Sequence, residues 1–283
     1  MAMAKRRSVV LNGDLGSGKS TVSMMLAAQL GIRRISVGDL FRTLAAQLGM
    51  TAVEINLHAE LDDKIDHYVD QLQRDIAASG EQLIVDSRLA WHFFADALKV
   101  HLIAEPLVAA QRALGRPANS VESYADVEEA RDRLAIRSES ERMRFVTRYG
   151  VDKTRLRNYD LVCDTTSATP EQVAEKIVEH LHSPMEDGPA CYLAPKRIYF
   201  TEDPDAEDGA DPDGQITVGY SAPNFFAVQG HRRLSAAIRD GEGLVAVKLM
   251  AEAQETIAGV SCVDYFEANA GKFGCEQSAG LQY

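Results

Sequence analysis

The sequence predicts an α/β protein with a parallel five-stranded sheet and flanking helices over residues 1–182, then a smaller α/β unit over 183–283. Three observations carry this. Short apolar runs alternate with helix-period segments through the first two thirds. A glycine-rich loop joins the first apolar run to the first helical segment. The composition then changes after His182, where proline, glycine and acidic residues accumulate.

The strand-like runs are SVVLN (8–12), RISV (34–37), LIVD (83–86), KVHLIA (99–104) and DLVCDT (160–165). Helical periodicity falls at 18–30, 38–48, 61–79, 106–114, 123–149 and 170–182. Continuous apolar strands of four to six residues separated by helices belong to a sheet covered on both faces. Ligands of such sheets gather at the carboxyl ends of the strands. After His182, HSPMEDGPA (182–190) reads as a linker, and TEDPDAEDGADPDG (201–214) as a solvated acidic loop, since its spacing fits no ordered calcium loop. IYF, QITVGY, NFFAVQ, HRRLSAAIRDG and LVAVKLM supply the strands and helix of the second unit.

At 283 residues and net charge −12, the chain suits two soluble domains. Lys and Arg number 23 against 26 acids through His182 and 7 against 16 beyond it, so the acidity sits in the last third. Neither part offers the basic face of a general nucleic-acid binder. No apolar run reaches membrane-span length and MAMAKRRSVV leads straight into a strand, which points to the cytoplasm and away from a membrane. Cys163, Cys191, Cys262 and Cys275 lack metal-ligand spacing and read as thiols in a reducing compartment. A homo-oligomer stays open.

Gly13-x-x-x-x-Gly18-Lys19-Ser20 lies between the first strand and the first helix, the setting a phosphate-binding P-loop requires. Gly13, Gly16, Ser17, Gly18, Lys19, Ser20 and Thr21 would hold the phosphates of a nucleoside triphosphate. Backbone N–H groups converge there, the helix N-terminus adds positive potential, Lys19 reaches the terminal phosphates and Ser20 meets Mg²⁺. A nucleoside triphosphate with Mg²⁺ is therefore expected, and the loop by itself leaves kinases, GTPases, motors and switches open.

Further motifs follow in order: GDLFR (38–42), SRLA (87–90), RALGR (112–116), RSESERMRFVTRYGVD (137–152) and YDLVCDT (159–165). Together with the loop they resemble the short cytidylate kinases of archaeal type, within the nucleoside monophosphate kinases, over residues 8–182. The resemblance implies a phosphotransferase that moves a phosphoryl group from ATP to CMP or dCMP. Arg42 and Arg88, at different strand ends, would grip the acceptor's monophosphate, a task guanidinium forks suit. Arg116, Arg137 and Arg142, with Arg112 and Arg144, would form a lid that neutralises developing charge. Asp86 would assist Ser20 with the metal. Asp39, Asp152 and Asp160 are candidates for contacts to the acceptor. Family members usually read G-R-L-A-G where this chain has Ser87-Arg88-Leu89-Ala90-Trp91. Trp91 either fills the space a glycine would leave or stacks on the acceptor.

In the second unit, Gly230-His231-Arg232-Arg233-Leu234-Ser235-Ala236-Ala237 resembles the strand-to-helix motif of the ParB/sulfiredoxin-like fold. A glycine turn into a helix N-terminus beside arginines is chemistry for an anion, so Gly230, His231, Arg232 and Arg233 form a candidate phosphate pocket. A unit kept for packing is the other reading. At the level of the whole chain, a kinase of another small metabolite or a nucleotide-sensing regulator remain as alternatives.

Overall fold

The computed structural model describes residues 8–47, 49–50, 63–115, 124–183, 188–204 and 214–269. They pack as two compact units, Met1–Lys153 with Pro170–Pro184, and Thr154–Thr169 with Met185–Tyr283. No described helix is long and apolar enough to cross a membrane.

The first unit holds strands β1 (Val9–Gly13), β2 (Arg33–Ser36), β3 (Leu83–Asp86) and β4 (Leu98–Ile103), ordered β2-β3-β1-β4. All three pairings are parallel, with Leu11 opposite Asp86 and Asn12 opposite His101. Val9, Val10, Leu11, Leu83 and Ile84 are completely buried, as strands covered on both faces require. This is the P-loop kinase-like α/β arrangement.

The helices of this unit are α1 (Lys19–Leu30), α2 (Val37–Gln47), α3 (Asp63–Ala78), α4 (Ala90–Phe93), α5 (Pro106–Leu114), α6 (Val127–Tyr149) and α7 (Pro170–His182). Their ends follow local chemistry. Glu105 caps α5 by accepting from Val108 N at 2.9 Å, with Pro106 at the first helical position. Asp126 caps α6 by accepting from Glu129 N at 2.8 Å, so that helix starts at Val127 rather than at 123. Gly150, in the left-handed conformation, ends it.

The fifth strand expected from sequence, β5 (Leu161–Asp164), forms where DLVCDT predicts it and is grouped with the second compact unit. It pairs in parallel with β6 (Ala190–Leu193), and buried carboxylates hold its flanks. Glu252 accepts from Leu156 N at 2.7 Å and lies 3.4 Å from Arg155 Nε. Asp164 accepts from Arg197 at 3.0 Å and from Thr166 N at 2.9 Å. The apolar pattern of DLVCDT predicts a buried strand, and all four residues of β5 are buried.

The second unit continues with β7 (Ile198–Tyr199), β8 (Ile216–Ser221), β9 (Asn224–Gln229) and β10 (Val245–Glu252), in the order β5-β6-β10-β8-β9-β7. Its sheet is mixed: β8 and β9 form an antiparallel pair, and β10 runs parallel to β8 and antiparallel to β6. Helix α8 (His231–Arg239) and a small hairpin, β11 (Thr256–Ile257) and β12 (Val260–Ser261), complete it with α9 (Cys262–Asn269). Phe226, Ala251, Ile257 and Cys262 form one of its apolar clusters.

A polar pair interrupts the apolar sheet below the loop of the first unit. Asn12 Nδ2 donates to His101 Nδ1 at 3.0 Å, both residues being buried. Burial pushes the His101 imidazole down to about 4, against the opposing pull of Asp14. A histidine kept neutral in the fold but free to charge when unfolded stabilises the protein fully above the unfolded pKa near 6.5. That contribution drains away as pH falls toward 4, about 3 kcal/mol in all. His101→Gln should flatten the dependence of unfolding free energy on pH in this window, as read by urea titration.

Candidate active site

The loop between β1 and α1 is shaped by two constraints. Gly16 and Gly18 have φ of 83° and 78°, and a Cβ on Gly16 would lie 2.5 Å from the carbonyl oxygen of Ala109. Only glycine permits both that conformation and that approach to α5. Gly13 closes β1, Ser17 is buried, and Ser20 and Thr21 are exposed at the start of α1. Lys19 is the first residue of α1, directly after Gly18, which caps the helix.

Asp86, at the carboxyl end of β3, organises this side of the site. Its Oδ1 lies 3.2 Å from Lys19 Nζ, and its Oδ2 accepts from Arg34 at 2.7 Å and Ser20 Oγ at 3.1 Å. Ser23 Oγ is 3.4 Å away and also receives Arg34 Nε at 2.7 Å. Burial drives the Asp86 carboxyl upward, and Lys19 with Arg34 outweighs this, holding it below the usual range. Burial pushes the Lys19 ammonium down while Asp86 opposes. Arg34 further reaches Asp39, 3.4 Å away in the first turn of α2. Sequence reading identified Asp86, Ser20, Lys19 and Asp39 but missed Arg34 and Ser23. Arg34 is the second residue of β2, four before the start of GDLFR and away from the carboxyl strand ends where a sequence reading looks for ligand contacts.

A second carboxylate organises the other side. Glu141, on α6 and buried, pairs through Oε1 with Arg88 and sits 3.2 Å from Lys153 Nζ through Oε2. Arg137 Nε is 3.5 Å from Oε1. Burial raises the Glu141 carboxyl, and Arg88, Lys153 and Arg137 together bring it below its ordinary value. Neither Glu141 nor Lys153 was singled out from sequence, because the glutamates among these arginines also fit the i,i+4 pairs of a solvated helix face.

The remaining candidates have definite partners. Arg142 is bound by Glu139 at 2.7 and 2.8 Å and by Asp152 at 2.9 Å, which raises its pKa, and Asp152 is thereby satisfied from within the protein. Arg144 lies 5.8 Å over the ring of Phe145, and Arg112 is half-buried in the last turn of α5. Asp160 belongs to the second unit, where its carbonyl accepts from Ala190 N at 2.9 Å. Arg116 and the side chain of Arg42 lie outside the described residues.

The departure at 87–91 has a structural account. Ser87 Oγ accepts from Leu89 N and Ala90 N at 3.3 and 3.2 Å and donates to Gln73 at 3.0 Å. The serine thus supports the start of the short helix α4. Trp91 is buried, and its Nε1 donates to the Arg88 carbonyl at 3.2 Å, so it fills space and fixes the backbone of Arg88.

In the second unit, Gly230 has φ of 84° and caps α8, with Gln215 O 2.6 Å from where a Cβ would stand. Arg233 is committed to Glu242 through two contacts of 2.7 and 2.9 Å. His231 is buried, 3.3 Å from Thr201 Oγ1, and Arg232 is exposed. Arg233 is thus paired with Glu242, which lies just beyond the end of α8.

Among known proteins, the AAA domain family matches residues 9–144. The chain is 35% identical over 173 residues to "Cytidylate kinase" of Methanobrevibacter smithii, covering 61% of this chain and 97% of the relative. It is 38% identical over 167 residues to "Cytidylate kinase" of Natronomonas pharaonis, covering 58% and 84%. A solved structure of an uncharacterized protein from Eubacterium ventriosum superposes with TM-score 0.50 at 14% identity, covering 63% of this chain and 99% of that one, a likeness of fold.

Asp86→Asn removes the counter-charge from two cations. It should cost about 3 kcal/mol of stability, by the usual penalty for stripping one partner from a buried ion pair, together with a loss of ATP affinity. Urea unfolding and ATP titration of the variant check the two effects separately.

Proposed function

The chain belongs to the cytidylate kinase family, and we propose that it transfers the γ-phosphoryl group of ATP to CMP, forming CDP and ADP. The observation that carries this reading is the pair of cation clusters in one unit, one on the P-loop and one led by Arg88, each held together by a buried carboxylate. A triphosphate donor and a monophosphate acceptor are the substrates such a division suits.

The loop amides and Lys19 hold the donor phosphates. Ser20 Oγ and the Asp86 carboxylate, 3.1 Å apart, are the hard oxygen ligands that Mg²⁺ prefers, and they fit such an ion. When bound, it neutralises charge on the donor phosphates. Arg88 presents a guanidinium to the acceptor phosphate, whose oxygen attacks the γ-phosphorus as the bond to the β-phosphate oxygen breaks and ADP leaves. The protein's contribution is position and positive charge, which phosphoryl transfer chiefly needs. Trp91 holds the Arg88 backbone and Glu141 its guanidinium, so the cation is oriented before the acceptor arrives.

The cytidylate kinase of M. smithii is matched over nearly its whole length by 61% of this chain, which leaves the C-terminal unit as an addition to the kinase. We read residues 183–283 as an accessory domain of ParB/sulfiredoxin-like kind. The Arg233–Glu242 pair supports a packing role for its helix rather than a second phosphate pocket.

A coupled assay of ADP release over CMP, dCMP, UMP and AMP tests the substrate, with CMP or dCMP expected to turn over fastest; turnover of none of them would overturn the proposal. Arg88→Ala should lower kcat/KM for CMP about a hundredfold, corresponding to the loss of roughly 2.7 kcal/mol from a charge-assisted contact. Near-normal kinetics would remove Arg88 from the acceptor site.

A further inference from the structure

We infer that Arg34 is a positioning residue for the donor side, holding the Asp86 carboxylate in place for the Mg²⁺ of a bound nucleotide once Lys19 engages the phosphates. The inference rests on the donor half of the kinase reading and gives Arg34 a task in it.

The pairing of β2 with β3 sets Arg34 opposite Ile84 and Ser36 opposite Asp86. Two residues of strand rise about 6.6 Å, a span that the long arginine stem covers, so the guanidinium reaches the carboxyl end of β3 although its own backbone does not. There its Nη2 donates to Asp86 Oδ2 and its Nε to Ser23 Oγ, both at 2.7 Å, and Nη1 lies 3.4 Å from Asp39. These contacts use three nitrogens of one rigid plane and so fix its orientation. The weight falls on Asp86. The Asp39 side chain is 54% exposed, where an ion pair contributes little, whereas that of Asp86 is 5% exposed.

Among the described residues, the cations in contact with Asp86 are Lys19, 3.2 Å from Oδ1, and Arg34 at Oδ2. A P-loop lysine serves the terminal phosphates when a nucleotide binds. Asp86 then loses that partner, and a buried carboxylate stripped of its counter-charge is costly. Arg34 remains. A carboxylate pinned through one oxygen keeps its orientation when the partner of the other changes. Ser23 completes the clamp: its Oγ accepts from Arg34 and lies 2.9 Å from the carbonyl oxygen of Ser20, the residue expected beside Asp86 on the metal. Arg34 thus stands behind the metal-binding groups as an outer-shell partner, tying β2, β3 and α1 to one point.

The test uses the full chain and calorimetric titration of β,γ-methylene ATP, which cannot transfer its phosphoryl group, at a series of Mg²⁺ concentrations and in EDTA. Arg34→Met should raise the Mg²⁺ concentration needed for tight nucleotide binding by about tenfold to a hundredfold, with affinity in EDTA within about twofold of wild type. Arg34→Lys keeps the charge but has no fork for Ser23, and should fall between the two. The inference is overturned if Arg34→Met keeps the wild-type Mg²⁺ requirement, or needs less Mg²⁺, which marks Arg34 as a competitor of the metal. An equal loss of affinity in EDTA overturns it as a structural tie, and so does wild-type binding that is indifferent to Mg²⁺. Should the Met variant fail to fold, Arg34→Lys and Ser23→Ala are titrated in the same way and judged by the same outcomes. No acceptor is present, so a wild type that phosphorylates no CMP brings down the acceptor reading alone, and the titration still decides the role of Arg34.

Discussion

A pocket for two nucleotides has to concentrate positive charge, and concentrated positive charge does not stay folded without anions inside it. Asp86 and Glu141 meet that constraint. Each is buried, each touches at least two cationic side chains, and each is held ionised by them against the cost of burial. The P-loop lysine, Arg34, Arg88, Arg137 and Lys153 all take their positions from these two carboxylates. The stability of the first unit and the readiness of its site are consequently one property.

The same logic explains the secondary contacts. Ser20 and Ser23 share Asp86 with the cations, using hydroxyls where the carboxylate has acceptor capacity left. Trp91, whose bulk replaces a glycine usual in the family, is buried and holds a backbone carbonyl, so the substitution reinforces Arg88. In the second unit buried carboxylates recur: Glu252 and Asp164 bind arginines and backbone N–H groups around β5.

Much of this was legible in the chain. The P-loop spacing requires glycines where φ is positive and a lysine at the first position of α1, and both stand where the motif puts them. Asp86 and Arg88 were found because strand ends are where a parallel sheet binds ligands. Glu141 and Lys153 were not, since a helix rich in Glu and Arg satisfies i,i+4 pairing on its own, and only the path of the chain shows that one glutamate turns inward. Arg142 was read as a lid arginine and Asp152 as an acceptor contact, and proximity across the helix end pairs the two with one another.

By itself the sequence determined the elements and the chemistry of the donor loop, because strand runs, caps and left-handed glycines are dictated by residues within a few positions of one another. Which cations share a carboxylate, and which unit receives β5, were decided only by tertiary structure. Those choices depend on groups far apart in sequence, such as Ser20 and Asp86 or Arg88 and Glu141, competing for the same buried charge. Local pattern cannot rank such competitors; burial in a common volume does, since an ion withdrawn from water binds the nearest opposite charge the fold can deliver.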